Sequence, residues 1–282
     1  MKNITIELPH ITLAGLSFGS PDKPILLALH GWLDNAASFI PLAQHLADYH
    51  ILAIEWPGHG HSMHRAAGAS YHIADYVFDL HALSHYLESE YGCNKLTILG
   101  HSLGGIVASI FAGTFSERVE KLIMIESFGP LAAKPHESVI NLRKSIERSA
   151  RPKNKKKTIH PSLDSAITAR TQAGDFSRDI ATLLVERGSL EVDGGYTWRS
   201  DSRLRNLSPI RLTEEQVLDF ISAITAPILL IIGESGLVFA RESFASRKAA
   251  VRQIECLHYA GGHHVHMEQP EPIAQAIKHF IN

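Results

Sequence analysis

The sequence predicts an α/β fold: a mostly parallel, doubly wound sheet with a helical insertion. Three observations carry this prediction. Short apolar runs alternate with helical patterns through the first 126 residues. The runs are continuous in Val, Ile and Leu, as in strands covered on both faces. A stretch of about a hundred residues without a clear strand core then precedes two more such runs.

The elements follow in order. The segment up to Gly19 alternates like an antiparallel hairpin at a sheet edge. Ile25-Leu26-Leu27-Ala28-Leu29, Ile51-Leu52-Ala53-Ile54, Leu96-Thr97-Ile98-Leu99 and Leu122-Ile123-Met124-Ile125 read as buried strands. Between them, Asp75 to Tyr91 places Val77, Leu80, Leu83 and Leu87 at near-helical spacing. Leu103 to Phe115 is apolar on most sides and reads as a buried helix. From Ser127 to Ala226 come a bend at Pro135, helical stretches at Glu137–Arg148, Ser162–Ala173 and Phe176–Arg187, and a turn at Gly194-Gly195. Sheet character resumes at Ile228–Ile232 and Gln253–His258, and a helix at Ile273–Ile281 closes the chain. The expected organisation is a core of residues 1–126 and 227–282, with residues 127–226 as a lid between strands 6 and 7.

Composition narrows the function classes. Of 282 residues, 45% are hydrophobic, and 27 basic side chains meet 29 acidic ones for a formal charge of −2. This balance offers no electrostatic footprint for nucleic acid or an anionic membrane. Cys93 and Cys256 form neither a disulfide framework nor a zinc pair. No apolar run reaches the ~20 residues that span a bilayer, and the start lacks a signal-peptide core. A cytoplasmic protein is expected. The basic run Arg151–Lys157 reads as a solvated loop.

Gly100-His101-Ser102-Leu103-Gly104 lies between a strand and an apolar helix, the context a nucleophile elbow needs. A sharp turn there thrusts Ser102 Oγ out above the sheet, and the following helix aims free N–H groups at the same point. His263, flanked by glycine after the last strand, is placed to act as base; His264 and His266 compete. Oxyanion donors are expected at the N–H groups of Leu103 and of Trp32, which follows the strand Ile25–Leu29. The Trp32 indole would wall the acyl pocket.

With His30-Gly31-Trp32, Pro57-Gly58-His59-Gly60-His61-Ser62, Gly100-His101-Ser102-Leu103-Gly104-Gly105, and His263 followed by Glu268 and Pro270, the chain resembles the α/β-hydrolase family over nearly its whole length. Trp32-Leu33-Asp34-Asn35-Ala36 and Trp198-Arg199-Ser200-Asp201-Ser202-Arg203-Leu204 are similar to a serine-hydrolase-like subgroup near epoxide hydrolases and haloalkane dehalogenases. The resemblance implies an acid after the seventh strand, as Gly-x-x-Asp. Gly233-Glu234-Ser235-Gly236 has glycine there. Glu126, at the end of the sixth strand, is where dehalogenase relatives often carry the acid, and it is favoured; Glu234 and a dyad without an acid are the alternatives.

A serine nucleophile favours an acyl-enzyme, hence hydrolysis of a carboxylic ester, thioester or lactone. The expected partner is a small-molecule acyl substrate, and no cofactor is required. Carbon–carbon bond hydrolysis and a non-catalytic binding protein are the rival readings. Phe128, Trp198, Leu237 and Val238 are candidate pocket residues. His59-Gly60-His61-Ser62-Met63-His64 has the spacing of a zinc site, but Met63 stands where its aspartate belongs, so no metal is expected.

Overall fold

The computed structural model describes residues 1–150, 158–174, 176–238 and 242–282. The basic run Arg151–Lys157 lies outside the described residues. Among the described residues, eight strands form one sheet. They are β1 (Lys2–Leu8), β2 (Ile11–Phe18), β3 (Ile25–Leu29), β4 (His50–Ile54), β5 (Leu96–His101) and β6 (Val119–Ile125), followed by the late pair Ile228–Gly233 and Ile254–Tyr259. A separate ribbon pairs β7 (Ser189–Val192) with β8 (Gly195–Trp198), so the late pair become β9 and β10.

The sheet order is β1-β2-β4-β3-β5-β6-β9-β10. The β1–β2 hairpin is antiparallel and joins β4 antiparallel; every pairing from β4 to β10 is parallel. The period of two along β3 sends Leu27 and Leu29 to one face and Leu26 and Ala28 to the other. On the first face they pack with the helices Ile73–Tyr91 and Leu103–Thr114, on the second with the helix Pro270–Ile281. Both faces are covered, which is why the strands read as unbroken apolar runs.

The insertion falls between β6 and β9, the sixth and seventh strands of the main sheet. Its helices Leu163–Ala173 and Arg178–Gly188 bury Ala166, Ile167, Ile180, Ala181, Leu184 and Val185 against each other and against Met267. The β7–β8 ribbon corrects the expectation of a strand-free insertion. Its strands are four residues each, too short for a period to emerge. The helix Glu214–Ser222 was also not anticipated, although Thr213 and Gln216 form the capping box that starts it. No helix among the described residues is long and apolar enough to cross a membrane.

Candidate active site

The catalytic edge is built at the C-terminal ends of β3, β5, β6 and β9. After β5 the chain turns at Ser102 with φ 48° and ψ −113°, a strained conformation for a non-glycine residue. The glycines allow it. A Cβ at Gly100 would overlap the backbone at Gly104 and Gly105, and one at Gly104 would overlap the Leu29 carbonyl of β3. Leu103 opens the helix, so its N–H has no intrahelical acceptor.

His263 Nε2 lies 2.9 Å from Ser102 Oγ, and its Nδ1 lies 3.3 Å from Glu126 Oε2. Glu126 sits immediately after β6 with φ 48° and is fully buried. Its Oε1 accepts the Gly233 N–H at 2.9 Å, and its Oε2 accepts the Leu237 N–H at 2.8 Å. This arrangement gives the glycine at 236 a physical reason: a Cβ there would run into the Glu126 carboxylate. The carboxylate reaches the β9 turn from β6 instead of being carried by that turn. Glu234 is exposed.

The other two histidines face elsewhere. His264 Nε2 lies 3.1 Å from Asp34 Oδ2, and His266 Nε2 lies 2.7 Å from Ser38 Oγ. His101 donates from Nε2 to the His263 carbonyl at 2.8 Å and so holds the loop that carries His263. Burial, reinforced by three neighbouring histidines, pushes the His101 pKa well down, so the ring is neutral. Burial also works against the Asp34 carboxylate, but His264, Arg170 and His101 together hold its pKa well below the usual range.

Ser102, His263, Trp32 and Trp198 line one cavity of about 510 Å³. The Trp32 indole donates to the Leu204 carbonyl at 3.0 Å. The remaining pocket candidates are corrected. Phe128 is buried in the core under the sheet edge and Val238 packs in the same core. Leu237 is largely exposed and meets the site through its N–H. Proximity in sequence to Glu126 or to β9 does not set where a side chain points. The wall comes instead from Ala169, Arg170, Leu184, Val185 and Arg205, which lie in the insertion and which sequence reasoning missed.

Among the described residues, one group of three or more potential metal donors has its ligand atoms within 4.8 Å of one another: Asp34, His101 and His264. There Asp34 Oδ1 already takes Arg170 Nη2 at 2.7 Å. His59, His61 and His64 do not converge. His59 is buried with Nδ1 3.2 Å from the Pro57 carbonyl, while His64 is exposed beside the Arg199 carbonyl.

Burial drives the pKa of both His59 and His266 down to about 3. The unfolded chain, with histidines near 6.5, therefore takes up these protons first as pH falls. Their contribution to stability is complete above about pH 6.5 and is lost progressively down to about pH 3, at up to ~1.4 kcal/mol per pH unit for each ring. The expected result is a Tm that falls steadily between pH 6.5 and 4 in melts followed by circular dichroism. A flat profile across that window would contradict the buried neutral rings.

Fold and site together define a class. Residues 24–270 match the α/β hydrolase fold family, and the chain belongs to it. More particularly it is serine-hydrolase-like. It is 30% identical to "Serine hydrolase-like protein" of Danio rerio, over 98% of this chain and 87% of the relative. It is 31% identical to "Probable serine hydrolase" of Drosophila melanogaster, over 99% of this chain and 87% of the relative. The crystal structure of the hypothetical protein PA1622 from Pseudomonas aeruginosa PAO1 superposes with a TM-score of 0.91 at 38% identity, covering 99% of this chain and 97% of that one.

Proposed function

We propose that the protein is a lid-covered serine hydrolase that cleaves a carboxylic ester, thioester or lactone through an acyl-enzyme. The observation that carries this reading is the line of contacts Ser102 Oγ, His263 Nε2, His263 Nδ1 and Glu126 Oε2, at 2.9 and 3.3 Å. In the reactive arrangement His263 turns its Nδ1–H toward Glu126 and its Nε2 lone pair toward Ser102. Ser102 Oγ bonds to the substrate carbonyl carbon as Nε2 takes its proton. The oxyanion is received by the N–H groups of Trp32 and Leu103. When it collapses, the carbon–heteroatom bond breaks and Nε2 gives its proton to the leaving group. Water then attacks the acyl carbon, losing a proton to Nε2, which returns it to Ser102 Oγ as the acid departs. Glu126 fixes the imidazole and stabilises its charged form.

A fluorophosphonate probe tests this directly. The wild-type chain is expected to be labelled at Ser102, and Ser102→Ala is expected to be silent. Equal labelling of both, or of neither, would remove the nucleophile from the scheme and favour a binding protein.

A further inference from the structure

The catalytic cavity carries an excess positive charge. Three permanently charged side chains line it: Arg170, Arg205 and Asp34. Arg170 and Asp34 cancel, and the second Asp34 oxygen is taken by His264. Among the described residues, no carboxylate meets the guanidinium of Arg205 and no hydrogen bond or ion pair reaches it. Arg205 is exposed to solvent at the cavity, so its guanidinium keeps its water and can exchange it for an anion. Partial desolvation, with repulsion from Arg170, pulls its pKa down, the direction expected of a cation with no counter-charge beside it.

The backbone turn that carries Arg205 is held in place. It closes the short turn Ser202–Arg205, which Asp201 caps by accepting the Arg203 N–H at 2.9 Å. The Arg203 guanidinium donates to the carbonyls of Arg65, Ala66 and Ala69 in the loop that precedes the helix Ile73–Tyr91. The Leu204 carbonyl takes the Trp32 indole. The turn that presents Arg205 is thus tied to the same tryptophan whose backbone N–H is assigned to the oxyanion. A guanidinium without a counter-charge on the wall of a reaction cavity attracts an anion, and its planar fork matches a carboxylate. The same cavity wall includes Ala169, Ala173, Leu184 and Val185, which suit methylene groups.

We propose that the substrate is an acyl ester or thioester whose acyl chain ends in a carboxylate, and that Arg205 binds that carboxylate. The proposal rests on the serine-hydrolase reading, and the test separates the two. Kinetics are compared for 4-nitrophenyl hemiglutarate, with a free carboxylate, and for its methyl-capped diester. Wild type is expected to prefer the free acid in kcat/KM by about tenfold or more, and the preference shrinks as salt rises. Arg205→Gln collapses the ratio toward one; Arg205→Lys keeps part of it. Glutarate added to the wild type is expected to slow fluorophosphonate labelling, a readout that needs neither turnover nor a folded variant. A wild-type ratio near or below one with Ser102 still labelled overturns the carboxylate assignment alone. So does a ratio that survives Arg205→Gln, or labelling indifferent to glutarate. Failure of the probe to label wild-type Ser102 overturns the hydrolase reading beneath it.

Discussion

Glu126→Gln is expected to lower kcat/KM toward an activated ester by about 10³-fold to 10⁴-fold. Three donors converge on this carboxylate: Gly233 N–H on Oε1, and Leu237 N–H with His263 Nδ1 on Oε2. A glutamine offers one acceptor oxygen. Turned toward His263, that oxygen leaves its NH₂ facing the Gly233 N–H, and the negative charge opposite the imidazolium is gone. Turned the other way, its NH₂ faces Nδ1 and favours the wrong tautomer. In both cases the loss lies in the transition state, where the imidazolium exists, so kcat falls along with kcat/KM. Glu234→Gln, at an exposed position, is expected to stay within about twofold of wild type. A Glu126→Gln enzyme within tenfold of wild type would take the acid role away from Glu126, as would an equal loss from Glu234→Gln.

The position of Glu126 shows what the sequence could reveal. The inner strands β3, β4, β5, β6 and β9 are largely buried on both faces, so their apolar runs are self-announcing. The strand–turn–helix around Ser102 is local, and its glycines are legible in one dimension. Glu126 could be singled out because it follows a recognisable strand and because the family resemblance points there: 236 is glycine where the family usually carries its acid, and relatives often carry one after the sixth strand. The reason for that glycine needed coordinates: the carboxylate from β6 fills the space where a side chain would stand. The rest of the cavity is non-local. Arg170 reaches Asp34 across 136 residues and Asn35 Nδ2 reaches the Leu184 carbonyl across 149. The polar lid helices disclose which face is apolar but not what they will meet. Arg205 has no local pattern at all, since its significance is the missing partner.

Arg187→Leu is expected to cost about 3–5 kcal/mol of stability, because it would strand a buried charge. Glu55 follows β4 and is fully buried; Arg187, near the end of the lid helix Arg178–Gly188, grips it at 2.7 Å (Nε to Oε1) and 3.1 Å (Nη2 to Oε2). The carboxylate also accepts the His61 N–H at 2.8 Å, and a Cβ at Gly60 would overlap it, so it has no room to swing toward solvent. The remaining donors of Arg187 reach Asn3 and the Gly15 carbonyl, tying the lid to the edge hairpin as well. Removing the guanidinium alone leaves an anion in the interior. Removing the charge as well, in Arg187→Leu/Glu55→Gln, is expected to restore more than half of the loss, since the glutamine still accepts from His61. Urea unfolding of the single and double variants measures both quantities, and the single variant is expected to melt roughly 10 °C lower. A loss under about 1 kcal/mol, the scale of an exposed pair, would show that the contact does not anchor the lid. Because the same helix contributes Leu184 and Val185 to the cavity wall, a loosened lid is expected to raise KM more than it lowers kcat. That split distinguishes lid anchoring from damage to the triad, where kcat carries the loss.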